Sequence, residues 1–286
     1  MEVECIIKLG GSAITKKDEF ETVNRSTWPS ALTTFRHIKG RYIIVHGAGS
    51  FGHFQAKEFG VNEGFPVDRS LIEKTAYVRK GFANTRLSVT KVCICTYFCK
   101  SFLKTSHLHH QPFCGWRTRD KTEVTSSDIK TIEHLLQQGF VPVLHGDCVI
   151  DETRGCCILS GDTVIEVLAA HFKPKRVVFL TDVDGVFTNP PDKPDAALIP
   201  NIQFSSGGKI STAVSMVTRK QDITGGLEKK LKTAWNILKE SNGEVKVFIC
   251  KIASQAAEFA CCHGDLFQER GTAVELLVEN AHSQES

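Results

Sequence analysis

Short apolar runs alternate along this chain with longer amphipathic stretches. Val3–Leu9, Arg41–His46, Phe140–His145, Arg176–Thr181, Val245–Lys251 and Ala273–Val278 read as strands. Arg25–Ile38, Gly52–Glu58, Arg69–Leu87, Ser126–Gln138, Thr163–His171, Gly226–Ser241 and Ser254–Cys261 read as helices. Strands alternating with helices predict an α/β fold, a parallel sheet covered by helices. Each predicted strand ends where a glycine or polar turn begins, and ligands of such sheets bind beyond the carboxyl ends of the strands. Five turns are therefore candidates for one shared rim: Gly10-Gly11, Gly47–Gly52, Gly146-Asp147, Ser160-Gly161-Asp162 and Thr181–Gly185. There is no internal repeat and no long linker. Pro190–Asp195 reads as a local loop, and the polar tail after Glu279 is expected to fray.

Two of these turns carry the candidate chemistry. Lys8-Leu9-Gly10-Gly11-Ser12 follows the first strand, and His46-Gly47-Ala48-Gly49-Ser50-Phe51-Gly52-His53 follows the second. Glycines let backbone N–H groups close around phosphate oxygens, so two such turns suggest two phosphates in one cleft and hence phosphoryl transfer. Lys8, at a strand end, can neutralise charge on a transferring phosphoryl group. Lys16 and Lys17 follow on the loop, where either reaches a phosphate or stays solvated. His46 reads best as a strand-end packing residue. His53 stands at a predicted helix start, where it can donate to an anion. Asp162 opens an apolar helix, so it is either an N-cap or an ion-pair partner that aligns lysines. Thr181-Asp182-Val183-Asp184-Gly185 could hold a ribose, a metal or a turn. Asp222–Lys230 reads as another phosphate loop, with Lys230 about one turn into its helix.

Composition narrows the partners. The 286 residues suffice for one large domain or two lobes, and 41% hydrophobic content supports a core. A formal charge of +3, with both signs interspersed, does not suggest a nucleic-acid surface. No apolar run is long enough to cross a membrane. The acidic Met1–Glu4 leads straight into a strand, so no leader is expected. The eleven cysteines, several within apolar strand-like runs, read mostly as buried free thiols of a cytoplasmic protein. Val92–Cys114 stands apart, with four cysteines and three histidines in 23 residues. It reads as a helix with buried thiols followed by a polar loop. A zinc site from Cys93, Cys95, Cys99, Cys114, His107, His109 and His110 is the competing reading, but Cys-x-Cys-x3-Cys matches no familiar zinc spacing.

The ordered set Lys-Gly-Gly-Ser, His-Gly-x-Gly-Ser-Phe-Gly-His, Ser-Gly-Asp, Thr-Asp-Val-Asp-Gly-Val and Asp-Ile-Thr-Gly-Gly resembles the amino acid kinase family from about Val3 to Val278. The Ser50-Phe51-Gly52-His53 ending is similar to its isopentenyl phosphate kinase branch. The resemblance implies an open αβα sandwich with a mostly parallel central sheet. It implies an acceptor-binding lobe over residues 1–160 and an ATP-binding lobe over 161–286, with magnesium and a homodimer. The implied reaction converts isopentenyl phosphate and ATP to isopentenyl diphosphate and ADP, supplying isoprenoid precursors by way of the mevalonate pathway. By match to the motifs, Lys8, Lys17, His53 and Asp162 are the implied catalytic group. Gly10, Gly11, Ser12, Ala48, Gly49, Gly52, His53 and Gly161 contact the acceptor. Lys8, Gly10, Ser12, Lys17, Asp182, Asp184, Gly225, Gly226 and Lys230 border ATP. No protein metal ligand is implied.

The residue chemistry fits that reaction, because a monophosphate acceptor is already mostly ionised near neutral pH and needs no general base. Two departures from the family pattern stand out. Ala48 occupies a position that is often glycine and requires a negative φ. Val92–Cys114 does not resemble the family although its length fits, as a shifted reading frame or divergence would produce. Phe82 and Val89 read as core or as the wall of a prenyl slot. Other acceptors on the same fold (nucleotide, phosphonate, carbamate or carboxylate) and a non-catalytic nucleotide-binding relative are the alternatives. A dinucleotide-dependent dehydrogenase fits poorly, because no acidic residue ends a clear next strand about 20 residues after the glycine turn.

Overall fold

The six apolar runs become strands of one central sheet. The computed structural model describes residues 1–65, 72–91, 107–210 and 225–277. In chain order its first seven strands are β1 (Cys5–Leu9), β2 (Tyr42–His46), β3 (His107–His109), β4 (Arg117–Arg119), β5 (Glu123–Ser126), β6 (Val141–His145) and β7 (Asp147–Asp151). The rest are β8 (Gly155–Leu159), β9 (Arg176–Thr181), β10 (Val186–Phe187), β11 (Leu198–Ile199), β12 (Asn201–Phe204), β13 (Lys246–Lys251) and β14 (Gly271–Leu276). The α-helices are α1 (Gly11–Ile14), α2 (Trp28–His37), α3 (His53–Glu58), α4 (Ile72–Lys91), α5 (Ile129–Gln137), α6 (Gly161–Phe172), α7 (Gly225–Glu240) and α8 (Gln255–His263).

The central sheet has eight strands in the order β12-β14-β13-β9-β1-β2-β6-β3. β1 pairs in parallel with both β2 and β9, and only the β13–β14 pairing is antiparallel. The sheet is thus mostly parallel, as the alternating pattern predicts. Its two faces bury different residues of the same strands. Ile6, Ile43, Val45, Leu144, Val177 and Phe179 pack with α5, α6 and α7. Ile7, Leu9, Ile44, Val143, Val178 and Leu180 pack with α1, α2 and α8. This period-two division explains why the strands are apolar at nearly every position: both faces are covered. Each predicted helix has a counterpart. The start of the stretch predicted from Arg69 lies outside the described residues, and α4 runs on to Lys91.

Two points of the sequence reading need correction. The hairpin β7–β8 and its partners β4 and β5 form a second, four-stranded sheet that the apolar pattern did not indicate. β4 and β5 are short and polar, whereas β7 and β8 are short but bury Cys148, Val149, Cys157 and Leu159, so pairing with this hairpin stabilises the polar strands. The polar-loop reading of Val92–Cys114 fails at His107–His109, which form β3 at the edge of the central sheet, parallel to β6. There the neighbouring strand supplies the backbone partners, so a His-Leu-His triplet suffices. Pro112–Cys114 then form a 3-10 turn. Residues 92–106, and with them Cys93, Cys95 and Cys99, lie outside the described residues. His110 lies 3.3 Å from Asp128, Nε2 to Oδ2, and no cluster of three or more metal-ligating side chains occurs among the described residues.

Candidate active site

The turns predicted to share a rim meet in space. Gly10 N–H donates to Leu180 O (2.8 Å), Gly47 N–H to Leu9 O (2.9 Å) and Gly146 N–H to His46 O (2.9 Å), so the turns step along the strand ends from β9 to β1, β2 and β6. The two opening turns interlock. A Cβ on Gly11 would lie 2.8 Å from the Gly49 N and Cα, and one on Gly47 would lie 2.7 Å from the Gly11 N. Gly49 has φ +53°, a region that favours glycine. Ala48 has φ −72°, so its methyl group is accommodated as the sequence requires. Gly52 is packed as well: a Cβ there would meet the Ala48 Cβ at 2.6 Å. Gly161, at the start of α6, closes against the His46 carbonyl and the Gly146 amide.

A buried ion pair lies beside these turns. The Lys8 Nζ is 2.8 Å from the Asp162 Oδ1, with the two side chains only 9% and 11% exposed. Asp162 is not the helix cap. That position belongs to Ser160, whose hydroxyl accepts from the Thr163 N–H at 3.1 Å. Asp162 is thereby left to partner Lys8. Lys230 approaches the pair from α7. Its pKa is lowered, first by desolvation and then by the Lys8 charge, while Asp162 and Asp182 oppose the shift. Lys230 Nζ also donates to Gly226 O at 3.3 Å, turned back over the first turn of its own helix, which begins at Gly225.

On the other side of the interlocked turns, His53 opens α3 and is exposed. Desolvation by its surroundings, and then the charge of Lys17, lower its pKa, so neighbouring cations disfavour the imidazolium. Lys17 is exposed on the loop after α1, and Ser12 is exposed within α1. Lys16 is paired outward with Glu19 at 2.9 Å. Asp182 is exposed, whereas Asp184 is held by Arg270, Oδ2 to Nε 2.8 Å. This arrangement can bind two anions: lysines from β1 and α7 on one side, a histidine and a lysine on the other, with glycine backbone between. Because the turns fill the space a Cβ would need, the backbone itself forms the cradle.

A profile of the amino acid kinase family matches residues 4–251. The isopentenyl phosphate kinase of Arabidopsis thaliana is 36% identical over 315 aligned positions, covering 92% of this chain and 91% of that protein. That of Methanothermobacter thermautotrophicus is 34% identical, covering 79% and 84%. The chain belongs to the amino acid kinase family. A solved structure described as isopentenyl phosphate kinase superposes with a TM-score of 0.75 at 28% identity, covering 95% of this chain and 99% of that one.

Besides the residues the motifs indicate, the family fold here gathers further polar groups: the sequence reading named His46, as a strand-end packing residue, and passed over His145 and Arg86. His46 and His145 pair across β2 and β6 and are fully buried, with ring centroids 5.3 Å apart. Each Nδ1 lies against the carbonyl oxygen of the following glycine, at 3.0 Å for Gly47 and 2.8 Å for Gly146. A carbonyl only accepts, so each Nδ1 carries the proton. The repeated His-Gly at two strand ends was the available signal. Arg86 on α4 pairs with Asp147 at 3.2 Å, donates to Gln111 at 2.9 Å and stacks 3.8 Å over the Phe113 ring. Its spacing from Phe82 and Val89 puts all three on one helix face. Both Val89 and Asp147 are buried. No helix among the described residues is long and apolar enough to cross a membrane.

Proposed function

We propose that this chain transfers the γ-phosphoryl group of ATP to isopentenyl phosphate, giving isopentenyl diphosphate and ADP. The observation that carries the reading is the meeting of Lys8–Asp162, Lys230 and the His53–Lys17 pair around one glycine cradle. Lys8 and His53 lie in the sequence motifs that resemble the isopentenyl phosphate kinase branch, and the similar curated proteins carry that name. Residues 1–160 supply the acceptor side and residues 161–286 the nucleotide side. On the acceptor side His53, with Lys17, Ala48, Gly49, Gly52 and Gly161, holds the phosphate that attacks. An acceptor phosphate with a second pKa near 6 is its own nucleophile, so no base is required. Lys8, fixed by Asp162, stands between the two anions and offsets their repulsion. Lys17 and Lys230, with the Gly10-Gly11-Ser12 and Gly225-Gly226 backbone, neutralise the transferring and leaving phosphates. Asp182 and Asp184 border the nucleotide.

The residues present fit ATP, since lysines and open glycine backbone, as at Gly226, are what a polyphosphate requires. Magnesium would be held mainly by the ATP phosphates and would supply charge neutralisation there, with Asp162 and Asp182 as nearby carboxylates. Phe82 and Val89 give the acceptor's carbon chain an apolar wall beside Gly52. We read the enzyme as a homodimer: Leu87 on α4 and Leu108 on the edge strand β3 are 64% and 39% exposed, and light scattering on the purified protein checks the mass. The buried thiols suit the cytoplasm.

The test is ADP release from ATP and magnesium with isopentenyl phosphate, dimethylallyl phosphate, UMP, N-acetylglutamate and carbamate. Selective turnover of isopentenyl phosphate supports the reading. Turnover of another acceptor replaces it, and ATP binding without turnover of any acceptor replaces it with a non-catalytic role.

A further inference from the structure

The loop between α1 and α2 carries Lys17 and is docked at three separate places. Thr15 and Val23 form an antiparallel bridge that closes it, and the Lys16 N–H donates to Thr22 O at 2.9 Å. Its first anchor is the second glycine turn. The Ser50 N–H donates to the Thr15 hydroxyl at 3.0 Å, and the Ser50 hydroxyl meets the Thr22 backbone at 3.4 Å. Its second is aromatic: Phe20 stands edge-on to Phe54, the residue after His53, with centroids 5.8 Å apart. The third anchor is ionic. Glu21 Oε1 accepts from the Ser88 hydroxyl at 2.8 Å, and both carboxylate oxygens accept from the Lys91 ammonium, at 2.9 and 2.8 Å.

Glu21 adopts φ +48°, a left-handed conformation that is strained for a residue other than glycine. Such a conformation persists when its surroundings enforce it, and the contacts to Ser88 and Lys91 do so here. Although burial opposes the charge, the bonds from Lys91 and Ser88 hold the Glu21 carboxyl below its ordinary pKa. The end of α4 that receives Glu21 also backs the acceptor turn, because Ser88 and Val89 are both buried and a Cβ on Gly52 would lie 3.3 Å from the Val89 Cγ2. One helix end therefore supports both the loop of Lys17 and the turn before His53.

We propose that Glu21 is a positioning residue: it latches the Thr15–Val23 loop onto the end of α4 and so sets the spacing of Lys17 from His53 around the acceptor phosphate. This rests on the phosphate-acceptor reading above. The exposed ion pair contributes little to overall stability, since Lys91 is half exposed. Its effect is local, on where Lys17 stands.

Wild-type turnover of isopentenyl phosphate is measured first, which tests the acceptor reading by itself. Glu21→Ala, Glu21→Gln and Lys91→Met are then compared by steady-state kinetics and by calorimetric binding of isopentenyl phosphate without ATP. Glu21→Ala is expected to raise the acceptor KM and Kd about 5- to 20-fold, leave the ATP KM within about twofold, and keep the wild-type circular dichroism. Glu21→Gln and Lys91→Met, which each keep a link to Ser88, are expected to lose less. The exchange Glu21→Lys with Lys91→Glu is expected to recover part of the loss. In a Lys17→Met background, Glu21→Ala is expected to add almost nothing, because its effect passes through Lys17. An unchanged acceptor KM overturns the proposal, as do equal rises in both KM values or losses that multiply with Lys17→Met. Should Glu21→Ala fail to fold, the latch is a structural requirement only if Glu21→Gln and Lys91→Met also leave acceptor binding at the wild-type level, and that outcome overturns the proposal as well.

Discussion

Single residues divide here between those that meet anions and those that hold the backbone in place. On the proposed reading His53 belongs to the first group: it is exposed, and desolvation and then the Lys17 charge lower its pKa. His53→Ala is expected to raise the acceptor KM about 10- to 100-fold, the worth of one charge-assisted hydrogen bond, with the ATP KM nearly unchanged. Separate titrations of the two substrates check it, and equal losses would count against the assignment. Asp151 belongs to the second group. Burial opposes its charge, but N–H groups of Lys121 and Arg154 and hydroxyls of Thr118 and Thr153 outweigh that and hold its pKa at about 2. A folded pKa below the unfolded value means the stabilisation is complete above about pH 4 and is lost as the pH falls towards 2. Asp151→Asn is therefore expected to destabilise at neutral pH, by about 1–3 kcal/mol, and to flatten the acid limb of a stability profile measured by urea titration. Asp151 was not legible as important in the sequence, because two of its four partners, Thr118 and Lys121, lie 33 and 30 residues away.

At the scale of elements, the glycine turns and helix starts were legible and their mutual fit was not. Gly10-Gly11 and Gly47–Gly49 announce phosphate turns by composition. That they interlock follows only from β1 and β2 being neighbours in register, Leu9 opposite His46. Gly47→Ala would bring a Cβ to 2.7 Å from the Gly11 amide nitrogen, backbone against backbone. It is expected to cost about 1–3 kcal/mol in unfolding free energy and to lower kcat at least about tenfold, because relief requires both turns to shift. Two helices are coupled in a similar way. Glu166, one turn beyond Asp162, accepts from the Thr233 hydroxyl and from the Asn236 amide at 3.2 Å, one to two turns beyond Lys230. Removing this link with Glu166→Ala is expected to destabilise by about 1–2 kcal/mol, read by denaturant unfolding. Glu166 lies on an amphipathic helix with nothing to distinguish it from a solvated carboxylate, so no sequence signal marked it.

On the scale of the whole molecule, the strand order separates the chain into halves. β1, β2, β6 and β3 lie on one side of the sheet, and β9, β13, β14 and β12 on the other, so the β1–β9 seam is where the connections part. The open crevice at such a seam is where ligands of open α/β sheets bind. Lys8 on β1 and Lys230 on α7 approach it from opposite halves, and a nucleotide that engages both ties the halves together. A non-hydrolysable ATP analogue with magnesium at 100 times its Kd is expected to stabilise the fold by about 2.7 kcal/mol, a rise of several degrees in Tm. Lys8→Met is expected to remove most of that rise, and a full rise in the variant would place the nucleotide elsewhere.

The sequence by itself determined the layered α/β fold, the carboxyl ends of five of the six main strands, and the glycine, lysine and histidine positions at those ends. Hydrophobic period and turn chemistry are local properties, carried by residues close together in the chain. The tertiary structure decided the rest: the edge strand β3, the second sheet, the Lys8–Asp162 pair and the seat of Glu21 on Ser88 and Lys91. Each of these joins residues distant in sequence, and each depends on burial that only the packed chain creates. A carboxylate on a loop looks alike in sequence whether it faces water or a lysine 70 residues away, and its free energy is set by which of the two it meets.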